Sequence, residues 1–153
     1  MALQREPVQL DKLIDEVLAS RVEFQGIEHV RSAGPTLLQL DATRIRLALR
    51  NLFDNALRHG AQAARAPHVS VEVDGPWVSI TVRDHGAGVD EAQLARLAQP
   101  FYRTDSARQR ATGGVGLGLY LCRLVAQAHG GQLLLRNAQP GLVAQLVLPA
   151  LLA

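Results

Sequence analysis

Apolar residues recur at helical spacing in three stretches of this chain. After Pro7 they predict an amphipathic helix, with Asp11 placed to cap it or favour its first turn. A second helix is predicted from an N-cap at Asp41 to Gly60, and a third ends in a C-cap at Gly130-Gly131. The apolar positions are Leu10, Leu13, Ile14, Val17 and Leu18 in the first helix, Ile45, Ala48, Leu49, Leu52 and Ala56 in the second, and Leu117, Leu121, Leu124, Val125 and Ala128 in the third.

Alternating apolar and polar residues predict strands between these helices. Two alternating stretches flank Asp74-Gly75 and predict an antiparallel hairpin, and two more flank Pro140-Gly141. The apolar stretches 27–30 and 36–40 predict either a hairpin or two short strands, and a short helix is predicted from Asp90 to Leu97. The pattern predicts an α+β fold, a two-layer sandwich with helices packed on one face of a mixed, mostly antiparallel sheet.

Composition narrows the class of protein. At 153 residues, of which 48% are hydrophobic, the chain is long enough for one domain over residues 1–153 and too short for two ordinary ones. The net charge of +2 is spread among mixed charges, which argues against a nucleic-acid partner. No segment has the pattern of a signal peptide or a membrane span. We expect Cys122, the single cysteine, to be a buried structural residue, and not a reactive thiol.

Asn51 and Asn55 stand four residues apart on the second predicted helix, so both project from one strip of its surface, with Arg58 one turn further along. An amide oxygen is a hard, neutral ligand, suited to a Mg²⁺ ion that keeps most of its waters and binds phosphate oxygens. Taken alone, such a pair more often faces solvent or caps a loop. Two further motifs in the same chain favour the metal site.

The first of these motifs is Asp84, which follows a predicted strand. Gly86 and Gly88 would let the backbone pass close to a flat ring without a Cβ in the way. A carboxylate at this point can accept a hydrogen bond from the amino group of adenine. An ordinary turn Asp is an equally good interpretation of this motif alone.

The second motif is the glycine-rich run 113–118, which opens the third helix. Its backbone N–H groups and the positive helix end can hold polyphosphate, whereas the alternative is a flexible hinge. The irregular stretch before it contains Arg103, Arg108 and Arg110. Such charges are usually solvated, but beside a phosphate site we expect at least one, Arg103 in preference, to pair with the nucleotide. The three motifs together predict an ATP site.

With these motifs in this order, the chain resembles the catalytic, ATP-binding domain of bacterial sensor histidine kinases, within the wider gyrase, Hsp90, histidine kinase and MutL superfamily. Residues 41–59 resemble the N box, 82–89 the first glycine box, 100–103 the F box and 113–119 the second glycine box. The resemblance covers nearly the whole chain. It implies a Bergerat-type fold, ATP and Mg²⁺ as cofactors, and a protein-histidine kinase activity.

The resemblance also implies a role for each matching residue. Asn55 would be the Mg²⁺ ligand and, with Arg103, a catalytic residue, while Asn51 would assist at the metal and the phosphates. Asp84 would bind the adenine amino group, and an ATP lid would cover about residues 99–113. The remaining residues expected to bind the nucleotide are Arg58, His59, Gly86, Gly88, Tyr102, Gly114, Gly116, Leu117, Gly118 and Leu119.

Asn51 stands where related ATPases carry a Glu that activates water. An amide cannot act as a general base near neutral pH, whereas a neutral imidazole is already a competent nucleophile. The residue therefore favours transfer of phosphate to histidine over hydrolysis. The five histidines are His29, His59, His68, His85 and His129, and none is followed by the acidic residue that follows the family's phosphorylated histidine.

We therefore expect the acceptor histidine on a separate helical dimerisation and phosphoacceptor domain of a longer parent protein, with a response regulator downstream. The chain itself is expected to be monomeric and cytoplasmic, within a parent anchored in the inner membrane. Two alternatives are a serine kinase similar to anti-sigma factors and a degenerate nucleotide-sensing scaffold. The segment from Phe101 to Arg103 favours the histidine branch, and the intact Asn55, Asp84 and glycine runs argue against a scaffold.

Overall fold

The computed structural model describes residues 2–34, 36–102 and 117–152. The strands are β1 (Glu6–Gln9), β2 (Glu28–Val30), β3 (Leu37–Leu40), β4 (His68–Asp74), β5 (Trp77–Arg83), β6 (Gln132–Asn137) and β7 (Leu142–Pro149). The helices are α1 (Leu10–Ala19), α2 (Ala42–His59), α3 (Glu91–Leu94) and α4 (Gly118–Ala128), with a 3-10 turn at Val22–Gly26.

Five of these strands form one sheet in the order β2-β4-β5-β7-β6, in which only β2 and β4 run parallel. The predicted hairpin is confirmed: β4 and β5 pair from Asp74 and Trp77 across the turn at Gly75, whose φ is +57°. Strands β6 and β7 form the second predicted hairpin. The sheet is therefore mixed and mostly antiparallel, as the sequence pattern predicts.

One face of this sheet is buried and the other is open. Over most of the three central strands alternate residues are almost fully buried, and the residues between them, apart from the buried Val143, are partly or wholly exposed. Helix α2 packs against β5 and β7, and α4 packs against β6, β7 and α2. The predicted two-layer architecture is confirmed, and the face covered by α2 and α4 carries the core.

The N-terminal region differs from its prediction in how its strands pair. Segments 27–30 and 36–40 do not form a hairpin: β2 pairs in parallel with β4, and β3 pairs antiparallel with β1. The alternative of two short strands is the correct one. Strand β1 was not predicted, because four residues containing Pro7 carry little strand signal without their partner.

Asp11 lies in the first turn of α1, which is one of its two predicted roles, but it is not the cap. The N-cap of α1 is Gln9, whose Oε1 accepts from the backbone N–H of Lys12 at 2.7 Å. Asp11 is buried, and both ring nitrogens of His29 lie 2.8 Å from carboxylate oxygens, one of Asp11 and one of Asp15. The ring thus bridges two carboxylates of α1 and fastens this helix to β2.

Three smaller features complete the fold. Helix α3 covers only Glu91–Leu94 of the predicted 90–97 segment. Cys122 is fully buried as predicted, and burial raises the pKa of its thiol to about 12. None of the helices in the described part of the chain combines the length and apolarity needed to span a bilayer.

Candidate functional site

Helix α2 carries the first group of predicted site residues along one edge. Asp41 caps its N-terminus, where Oδ1 accepts from the backbone N–H of Arg44 at 3.1 Å, and Gly60 follows its last residue. The apolar stripe of α2 is buried in the core. Asn51 and Asn55 are partly exposed and lie at the border between that stripe and solvent.

The first residue of α4 lies against Asn51. A Cβ on Gly118 would come within 3.0 Å of the Asn51 Oδ1 atom, so a larger residue would press on the amide. The Nδ2 atom of Asn51 donates to the carbonyl oxygen of Leu47 at 2.8 Å, which fixes the orientation of the amide. The N-terminus of α4, the end of a helix to which anions bind, therefore lies beside the amide edge of α2.

The turn that follows β5 packs against the other end of α2. A Cβ on Gly86 would lie 1.9 Å from the carbonyl oxygen of His59, and one on Gly60 would lie 3.2 Å from the Cβ of Asp84. Only glycine permits so close a backbone contact as the first of these. The turn and the end of α2 therefore form one packed unit, and this packing is a reason for Gly86 that the sequence did not reveal.

Asp84 itself is buried, with 1% of its surface exposed. Its Oδ1 accepts from the backbone N–H groups of Gly86 at 2.9 Å and of Leu142 at 3.3 Å. Burial raises the pKa of this carboxyl above its ordinary value, and the two N–H groups and the nearby His59 offset only part of that effect. A buried carboxylate held by two backbone donors is a fixed acceptor, as recognition of an amino group requires.

Asn55 lies between these two contacts. It stands one helical turn after Asn51 and one turn before His59, about 6 Å along the helix axis from each. Arg58 is exposed and lies in the last turn of the same helix. The predicted metal ligand is therefore placed midway between the start of α4 and the turn that carries the buried acid.

The other predicted site residues lie around this edge or outside the described residues. Leu119 is buried as part of the core, Tyr102 packs against the core, and Leu117 is partly exposed just before α4. Gly88 has a φ of +75°, a conformation that glycine adopts without strain. The predictions for Arg103, Gly114 and Gly116, and those for residues 103–113 of the expected lid, fall outside the described residues.

Sequence reasoning did not connect the β6–β7 hairpin with this site. The turn at Pro140-Gly141 was predicted, but its contact was not: a Cβ on Gly141 would lie 1.9 Å from the carbonyl oxygen of Asp84. From the end of β6, Asn137 reaches the backbone of Val89. The pairing of β5 with β7 brings this hairpin to the Asp84 turn, and the pattern of apolar and polar residues within each strand does not predict that register.

The donor set suits a magnesium ion that comes with a nucleotide. Magnesium usually keeps several waters and takes other ligands from phosphate oxygens, so a single amide oxygen, that of Asn55, is a suitable protein contribution. Within the described ranges, no three His, Cys, Asp or Glu side chains lie together in a way that could hold a metal ion.

Comparison with known proteins identifies the family. The family described as "Histidine kinase-, DNA gyrase B-, and HSP90-like ATPase" matches residues 40–151. The sensor histidine kinase CpxA of Escherichia coli is 34% identical over 140 residues, which cover 85% of this chain and 29% of CpxA. The chain spans between 16% and 32% of the length of eight curated relatives that match it.

Solved structures agree with the sequence match. The mycobacterial sensor histidine kinase MprB is 28% identical with a TM-score of 0.79, covering 97% of this chain and 100% of that one. Full-length ShkA in complex with AMPPNP is 27% identical with a TM-score of 0.81, covering 100% of this chain and 32% of ShkA. The chain therefore belongs to the histidine kinase-, DNA gyrase B- and HSP90-like ATPase family, and within it corresponds to the catalytic domain of sensor histidine kinases.

Proposed function

We propose that this domain binds Mg²⁺-ATP and positions the γ-phosphate for in-line transfer to a histidine on a separate helical dimerisation and phosphoacceptor domain. The observation that carries the proposal is the single edge of α2. At one end this edge meets the glycine that begins α4, and at the other it meets the buried acid turn. These contacts support a site in which phosphate, metal and base bind along this edge.

In this proposal the two ends of the α2 edge bind different parts of the nucleotide. Asp84 accepts a hydrogen bond from the adenine amino group, and the glycine run 113–118 and the first N–H groups of α4 hold the phosphates. Asn55 supplies an amide oxygen to the magnesium, assisted by Asn51. The other contacts proposed for the nucleotide are Arg58, His59, Gly86, Gly88, Tyr102, Arg103, Leu117 and Leu119.

The reaction class follows from the group at position 51. Related ATPases use a Glu there as a base toward water, whereas the amide of Asn51 donates through Nδ2 to a backbone carbonyl and takes no proton near neutral pH. The bound nucleotide would thus have no base for hydrolysis at position 51. An imidazole acceptor needs no such base, because its neutral form already has a free electron pair.

Four of the five histidines of this chain have surroundings that make them poor candidates for that acceptor. His129 is buried with 2% exposed, and the side chain of His29 is 6% exposed and bound to two carboxylates. His68 and His85 contact each other, with ring nitrogens 3.4 Å apart. These environments support an acceptor on another domain of a longer parent, with a response regulator as the next partner. We place the domain on the cytoplasmic side of a parent anchored in the inner membrane, as a monomer in isolation.

The metal role of Asn55 gives the primary test. Asn55→Ala is expected to abolish Mg²⁺-dependent nucleotide binding, because it removes the amide oxygen that the proposal assigns to the ion. The measurement is calorimetric titration with ATP in the presence and absence of Mg²⁺. Arg50→Ala is the matched control, since Arg50 is an exposed residue on a different side of the same helix. Unchanged affinity in Asn55→Ala would refute this role.

A labelling experiment tests the class of kinase. Incubated alone with γ-labelled ATP, the chain should acquire no acid-labile phosphate, because its own histidines lack the acceptor motif. Supplied with a candidate acceptor domain, it should transfer label that acid removes, since a phosphoramidate is acid-labile and phosphoserine is not. Acid-stable label would favour the serine kinase. If saturating ATP failed to raise the melting temperature, the non-enzymatic scaffold would be favoured instead.

A further inference from the structure

Asn137, the last residue of β6, clamps the backbone of a residue 48 positions away in sequence. Its Oδ1 accepts from the N–H of Val89 at 3.0 Å, and its Nδ2 donates to the carbonyl oxygen of Val89 at 2.5 Å. The same Nδ2 lies 3.2 Å from an oxygen of Glu91. A side-chain amide that makes both of the first two bonds imitates the backbone pairing of a neighbouring strand.

The backbone held in this way is that of Val89, the last residue of the turn 84–89 that begins at Asp84. A Cβ on Gly88 would lie 2.8 Å from the Asn137 Oδ1, so the glycine allows the amide to come this close. At the near end, the N–H of Asp84 donates to the carbonyl oxygen of Leu142 at 3.1 Å. The turn 84–89 is thus fixed to the β6–β7 hairpin at both ends, by β7 at its start and by Asn137 at its finish.

We propose that Asn137 is a positioning residue that gives the site its selectivity for adenine over guanine, by holding the turn that aims the Asp84 carboxylate. This inference rests on the proposed nucleotide-binding function. Asn137 acts only through the turn and is not proposed to touch the nucleotide.

The selectivity follows from the chemistry of the two bases. Where adenine presents an amino group to a carboxylate, guanine presents a carbonyl oxygen, which the carboxylate repels. This discrimination requires the carboxylate to keep its direction. When the far end of the turn is released, Asp84 keeps its bonds to Gly86 and Leu142 but the turn loses its restraint at Val89. The direction of the acid is then less closely fixed, so it loses part of its bond to adenine and part of its repulsion of guanine.

The test is a comparison of Mg²⁺-ATP and Mg²⁺-GTP affinities by calorimetry, well below the melting temperature of each variant. Asn137→Ala is expected to weaken ATP binding by about fivefold to tenfold, the loss that one or two weakened hydrogen bonds produce, while GTP binding stays the same or improves. The affinity ratio therefore falls. Asn137→Ser keeps one hydroxyl able to bond Val89 and should give an intermediate ratio.

Leu133→Ala is the control for a merely structural effect. Leu133 lies on the same strand and packs against the core, so its truncation lowers stability without releasing the turn. Its ratio should match that of the wild type. Exchange of the Val89 amide hydrogen should be faster in Asn137→Ala than in Leu133→Ala, because only the first loses the acceptor.

Three other outcomes would each overturn a different part of the proposal. A wild-type preference for ATP that stays unchanged in Asn137→Ala overturns the positioning role. A wild type that binds ATP and GTP equally overturns the selectivity and leaves nucleotide binding intact. A wild type that binds neither overturns the proposed function, and this inference with it.

Discussion

Asp84 is a buried acid whose surroundings favour its protonated form. In the unfolded chain the carboxyl titrates near the ordinary value of 3.8, whereas in the folded chain burial raises its pKa. Between these two values the folded state binds more protons, so stability falls as pH rises through that window. Above this pH window the buried, ionised carboxyl lowers the stability of the fold by a constant amount. In the proposed function, the same ionised carboxyl is the acceptor for adenine.

Replacing Asp84 by asparagine separates its effect on stability from its role in ATP binding. Asp84→Asn is expected to increase the free energy of unfolding at neutral pH, because an amide oxygen can still accept from Gly86 and Leu142 without a buried charge. ATP binding should weaken by about tenfold or more, because a hydrogen bond to a charged group is lost. Urea denaturation and calorimetry measure the two effects. Lower stability combined with full ATP affinity would contradict this account.

At the scale of elements, Gly86 and Gly118 lie where neighbouring elements contact α2, and they differ in how well an added methyl group would be tolerated. The methyl group of Gly86→Ala would meet a backbone carbonyl at 1.9 Å, whereas that of Gly118→Ala would meet only the end of a side chain at 3.0 Å. A backbone atom moves only with its whole element, whereas a side-chain amide can turn away. The first substitution should therefore disturb folding, and the second should disturb the site.

We expect Gly86→Ala to lower the free energy of unfolding by about 2 to 4 kcal/mol. Gly118→Ala should change stability by less than about 1 kcal/mol, because alanine favours a helix, and should still weaken Mg²⁺-ATP binding by displacing Asn51. Gly26→Ala is the neutral control, since nothing lies within 4 Å of its added Cβ. The measurements are urea denaturation and calorimetry. Equal loss of stability in the two site variants would contradict the distinction.

These elements also show what the sequence could and could not reveal. The period of apolar residues predicted α1, α2, α4 and the β4–β5 hairpin, because each depends on neighbours in sequence. Strand β1 and the parallel pairing of β2 with β4 depend on partners between 28 and 40 positions away, and no local signal encodes them. Asn137 was missed for the same reason: it ends a strand in sequence but meets Val89 only in the fold.

At the scale of the whole molecule, histidines and acids together determine how stability depends on pH. Burial lowers the pKa of His129 below 6.5, and its ring Nε2 accepts from the backbone N–H of Asp41 at 3.2 Å. Burial alone would raise the pKa of Asp11 and of Asp15, but hydrogen bonds from Ser32 and His29 to Asp11, and from His29 and Arg31 to Asp15, lower both below 3.8. All three groups make the folded state bind fewer protons than the unfolded chain in acid.

These three groups are therefore expected to make stability fall as pH drops through 6.5 and again below 3.8, whereas Asp84 acts in the opposite direction just above 3.8. Urea denaturation at about pH 5 and about pH 8 measures the upper part of this profile. His129→Gln removes one titrating group and keeps an acceptor, so the difference between these two conditions should shrink. A profile identical to that of the wild type would show that His129 does not contribute.

Because α2 spans the whole distance between its two glycine contacts, it acts as a rigid spacer of fixed length. Asn51 and His59 are eight residues apart, which is about 12 Å of helix. Inserting one residue between them would rotate one contact by about 100° relative to the other and move it by about 1.5 Å, so both could no longer be made together. The segment of α2 between Asn51 and His59 is therefore expected to admit neither an insertion nor a deletion.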